Sequence, residues 1–93
     1  MKNVNLKKVC DLLVACHMEL LYGDDLQHNE TLEKWRSLVE MVDVFLGCGE
    51  KLDKASDKIC DQLEKESETT IGRKLYEKTE TTTHKEFFEI LSK

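Results

Sequence analysis

An all-α fold, a compact bundle of three main helices plus a C-terminal helical segment, follows from three observations. Apolar residues recur at spacings of three and four through most of the chain. Proline is absent and glycine occurs four times, which argues against a turn-rich sheet architecture. The composition, 35% charged and 40% apolar, is that of a folded soluble protein. Ninety-three residues close one hydrophobic core and not two, so residues 1–93 read as a single helical domain.

The first helix is predicted from about Asn5 to Tyr22. Leu6, Val9, Leu13, Cys16 and Leu20 share one face, and Lys7, Lys8, Asp11 and Glu19 lie largely opposite. Asn3 or Asn5 can cap it by accepting a free backbone N–H. Gly23 is expected to end it in the left-handed conformation, followed by a solvated acidic loop, Gly23 to His28. Asp24, Asp25, His28 and Glu30 lack the spaced oxygens and turn glycine of a calcium loop, so no metal is expected there.

The central helix is predicted over Asn29 to Leu46, with Asn29 as its cap and Glu30 and Glu33 in the first turn, where the helix dipole favours acid. Leu32, Trp35, Val39, Val42 and Leu46 form one apolar face, and Leu38, Met41 and Phe45 a second stripe. So wide an apolar arc exceeds what one neighbouring helix covers. Gly47-Cys48-Gly49 then reads as a turn with an exposed thiol.

The third helix is predicted from about Glu50 to Ser67. Its apolar face, Leu52, Ala55, Ile59 and Leu63, is narrow, and Glu50 to Lys54 and Asp61 to Lys65 have the spacing of favourable pairs. In the C-terminal quarter, Thr69 or Thr70 can cap one short helix, and Thr83 with Glu86 has the spacing of a capping box. The expectation is two short helices split by Glu80-Thr81-Thr82, with a hairpin as the competing reading because threonine and phenylalanine suit strands.

Charge and cysteine usage narrow the function classes. The net charge is −5, and residues 23 to 50 hold seven acidic side chains against two basic ones. Such a chain repels a phosphate backbone overall. The four cysteines, Cys10, Cys16, Cys48 and Cys60, include three at apolar helix positions, which suits reduced thiols in a cytoplasmic protein. Leu13-Val14-Ala15-Cys16 resembles the lipobox of bacterial lipoproteins. Asp11 interrupts the apolar run such a signal needs, and the stretch is too short and charged to span a bilayer, so a buried helix and no membrane association are expected.

No catalytic motif is present: there is no phosphate-binding glycine loop, nucleophile elbow, His-Glu-x-x-His or Cys-x-x-Cys. His17, beside Cys16, could join Cys48 or Cys60 only if the fold converged them, and no paired spacing prepares half a zinc site. The expectation is a non-enzyme without cofactor or metal.

Two binding readings remain. The preferred one is a small protein interaction module, a regulator, adaptor, inhibitor or subunit, whose contact residues are Trp35, Leu38, Met41 and Phe45 with Glu40 and Asp43 at the rim. Burying Leu38, Met41 and Phe45 is worth about 4 to 8 kcal/mol, so they belong either in the core or against a partner or second copy. The alternative starts from Ile59-Cys60-Asp61-Gln62-Leu63 and Ser67 to Leu75, which resemble the second and third helices of a bacterial helix-turn-helix. That resemblance implies DNA contacts from Ser67, Thr69, Thr70, Arg73 and Lys74. Against it, the turn is one residue too long, Lys65-Glu66 replaces the glycine and apolar residue that pack the two helices, and Glu64, Glu66 and Glu68 would face phosphates.

Overall fold

The computed structural model describes residues 5–92, which form four helices and one 3₁₀ turn. Helix α1 spans Leu6–Tyr22, the 3₁₀ turn Asp25–Gln27, α2 His28–Leu46, α3 Gly49–Glu66 and α4 Arg73–Ser92. Each helix packs on its neighbours in a closed ring, α1 on α2, α2 on α3, α3 on α4 and α4 on α1. Lys58 meets Glu86 and Glu66 meets Lys78, so α3 and α4 run antiparallel. The architecture is an all-α bundle.

Local chemistry accounts for most boundaries. Asn5 caps α1, its Oδ1 accepting from the Lys8 N–H at 3.2 Å, whereas Asn3 lies outside the described residues. Gly47 ends α2 with φ +70°, its N–H donating to the Asp43 carbonyl. The Asp43 carboxylate accepts from the Gly49 N–H at 3.0 Å and so ties the start of α3 to the end of α2. A side chain at Gly49 would meet Asp43 Cβ at 2.6 Å, which is why the two helices can approach so closely there. Glu50 and Lys54 pair at 3.4 Å as their spacing predicts; no ion pair joins Asp61 and Lys65.

Several expectations are corrected. Gly23 has φ −78°, an ordinary extended conformation, and its small size matters instead because a Cβ would collide with the Glu19 carbonyl. The helix at Asn29 starts earlier, at His28, and its acidic approach is organised by Asp24, whose carboxylate caps the 3₁₀ turn through the Leu26 N–H. Cys48 is buried, not exposed in its turn.

The largest correction concerns the C-terminal quarter, which is one continuous helix and neither two helices nor a hairpin. Leu75, Thr79, Thr83, Phe87 and Leu91 bury one four-residue stripe along it. The Thr83 hydroxyl donates to the Thr79 carbonyl at 2.7 Å and Thr79 to Leu75 at 2.8 Å. Thr83 therefore sits in mid-helix with its polar atom satisfied, where the sequence suggested a cap.

The core contains Cys10, Leu13, Trp35, Val39, Val42, Leu52, Ile59 and Phe87 among its buried residues. At its centre His17, 1% exposed, lies against Trp35 and Phe87, with ring centroids 5.5 and 5.4 Å away. The Cys10 and Cys16 thiols donate to the carbonyls of His84 and Thr31, joining α1 to α4 and to α2.

Candidate functional site

The six residues expected to form a contact surface are divided by α2 among three environments. Trp35 is 4% exposed and belongs to the core, because it lies on the same face as Val39 and Val42. Asp43 and Glu40, with Arg36, line a shallow groove between α2 and α3, and Asp43 is occupied with capping α3. Leu38 is half-buried against the core, and Met41 and Phe45 stand 39% and 49% exposed. At 100° per residue, Leu38, Phe45, Met41 and Val44 follow one another around one flank of the helix.

Val44 is 73% exposed and extends that flank, while Leu46 is 38% exposed at the helix end. The sequence pattern passed over Val44 because it lies between Asp43 and Phe45. Its three-residue step from Met41 was the available signal.

The helix-turn-helix residues fall elsewhere than the resemblance implies. Helix α3 continues to Glu66, and Ser67, Thr69 and Thr70 lie in the connection before α4 rather than opening a helix. The Ser67 hydroxyl donates to the Glu64 carbonyl at 2.7 Å. Gly72, with φ +71°, precedes α4, whose first residues are Arg73 and Lys74. Arg73 pairs with Glu77 at 3.4 Å. Glu64 and Glu66 close α3 and Glu68 lies in the connection itself, so the segment carries acid in sequence on both sides of Ser67.

A second locus opens beside the core histidine. His17, Leu20 and Leu21 of α1 are visible in a cleft of about 370 Å³ whose sides are Leu32, Trp35 and Arg36 of α2 and Asp53, Ser56 and Cys60 of α3. α2 and α3 are pinned together at Gly49, and α1 residues show between them further along. Both imidazole nitrogens of His17 are buried without a hydrogen-bond partner. Burial pushes its pKa down to about 4, opposed in part by the nearby Ser56 carbonyl, which does not reach hydrogen-bond geometry. At neutral pH the ring is therefore uncharged, with one donor and one acceptor.

The remaining reactive groups are quiet. All four cysteines are free, and burial raises each thiol pKa, that of Cys10 to about 11 with help from Asp11. Such thiols make little thiolate and are poor nucleophiles. His84 faces Asp11 at 3.5 Å on the surface and stacks on Phe88. Among the described residues no three His, Cys, Asp or Glu side chains converge as a metal site, and no helix is long and apolar enough to cross a membrane.

Compared with known proteins, the chain matches no family model, no curated sequence and no solved structure.

Proposed function

We propose that the chain is a small non-enzymatic interaction module that docks a protein partner on the outer flank of α2. One observation carries this reading: Met41, Val44 and Phe45 lie side by side in solvent contact, next to half-buried Leu38. A contiguous apolar strip on a short helix is stabilised by cover, and a methionine within it adapts to the shape of what covers it. The net charge of −5 favours a partner whose contact surface is rimmed by basic residues, and it disfavours nucleic acid. Four free thiols suit a cytoplasmic setting.

The test is capture from a lysate of the source cells, with nuclease present, using the native chain and a Val44→Glu variant side by side. Val44 is 73% exposed, so the variant is expected to keep its fold, which circular dichroism checks. A stoichiometric protein held by the native chain and lost by the variant is the expected result. Equal retention by both, or retention that nuclease abolishes, contradicts the reading; the latter would shift attention to Arg73 and Lys74.

A further inference from the structure

The seam between α2 and α3 holds two clefts that join. One is lined by Glu40 and Asp43 of α2 and Glu50 of α3, the other by Leu20, Leu21, Leu32 and Trp35, and both are lined by Arg36 and Asp53. The shared residues make them one groove with an acidic end and an apolar end. It lies on the far side of α2 from the docking flank, since Asp43 and Phe45 point about 160° apart at 100° per residue. The His17 ring nitrogens are enclosed in the core and take no part in it.

The charge in this groove is unbalanced. Glu50 pairs with Lys54, and the Asp43 carboxylate accepts from the Gly49 N–H. Glu40, Asp53 and Asp57 are exposed, and among the described residues none of them forms an ion pair. Asp53 and Asp57, one turn apart on α3, repel each other. Against these acids the lining supplies Arg36 and, at the apolar end, His28.

We propose that the groove binds an extended segment of a partner protein in which bulky apolar side chains are followed by lysine or arginine. Leu20, Leu21 and Leu32 are half-buried, so apolar side chains laid over them remove the remaining surface from water. The unpaired acids complement the bases and exclude nucleic acid. From Leu32 to Asp43 the groove follows α2 for about 17 Å, the reach of about five extended residues. The groove is independent of the docking flank, and either can fail without the other.

Three end-blocked heptapeptides test this on the native chain: two leucines followed by alternating lysine and serine, the same with glutamine for lysine, and the same with serine for leucine. The lysine peptide is expected to shift the methyl resonances of Leu20, Leu21 and Leu32 and the amides of Glu50 to Asp57 saturably. It should bind about tenfold more tightly than either control. Asp53→Asn combined with Asp57→Asn should abolish the preference for lysine over glutamine; both positions are exposed, so the fold is expected to hold, which the same spectra check. If the double variant does not fold, the ratios in the native chain decide alone. No saturable shift at millimolar lysine peptide, equal affinity for the lysine peptide and either control, or an unchanged preference in the folded double variant would overturn the proposal. Shifts confined to the methyls of Met41 and Val44 would overturn it as well and place the segment on the docking flank.

Discussion

The two halves of α2 break the ordinary rule of burial in opposite senses. Toward its N-terminal end, Trp35 turns inward and helps enclose His17, a polar ring buried with no partner. Toward its C-terminal end, Met41, Val44 and Phe45 are apolar and meet water. Elsewhere the interior obeys the rule, as Thr79 and Thr83 show by bonding to their own helix. The contrast teaches that exceptions carry more functional information than the core does. An unpartnered buried imidazole and an uncovered apolar strip are both departures that cost stability in the isolated chain.

The comparison is sharpened first by truncating each half of the helix. Trp35→Ala should cost about 3 to 5 kcal/mol in urea unfolding, as large aromatic truncations in cores do, whereas Val44→Ala should stay within about 0.5 kcal/mol. Similar losses at both positions would show that the two halves are not distinct.

The pH dependence comes next. His17 has a folded pKa of about 4 against an ordinary value of 6.5, so the unfolded chain binds the extra proton between those values. Its contribution to stability is complete above about pH 6.5 and is lost as the pH falls toward 4, a change of about 3 kcal/mol. Urea midpoints measured across that window should decline in the native chain and much less in His17→Leu.

Smaller effects separate satisfied from unsatisfied polar groups. Thr83→Val removes a made hydrogen bond at nearly constant shape and should destabilise by about 1 kcal/mol. His17→Leu removes two unmet groups and should be neutral or stabilising at pH 7, by up to about 1 kcal/mol. Chemical denaturation of the two variants in the same buffer gives the comparison directly, and a loss at His17 as large as that at Thr83 would mean its nitrogens are served after all.

Much of the fold was legible because it is written in local periodicity. The boundaries of α1, α2 and α3 fall within a residue of expectation, and Asn5 caps as its side chain suggested. The fourth helix was misread because β-branched Thr79, Thr81, Thr82 and Thr83 count against a helix in isolation. Packing reverses that preference: Thr79 and Thr83 are buried and bond within the helix. Leu38, Met41 and Phe45 were legible as a stripe, but whether each lay in or out depended on which neighbours α2 met. His17 was less legible still, since the rings and cleft walls around it come from α2, α3 and α4. No local pattern states that a histidine will lack a partner.

The docking flank is tested most directly by residue-resolved spectra of the ¹⁵N-labelled chain in buffer and in a concentrated lysate of the source cells, with and without nuclease. Selective broadening of the amides from Leu38 to Leu46 that persists after nuclease is the predicted result. Broadening centred on Ser67 to Lys74 that disappears with nuclease would contradict it.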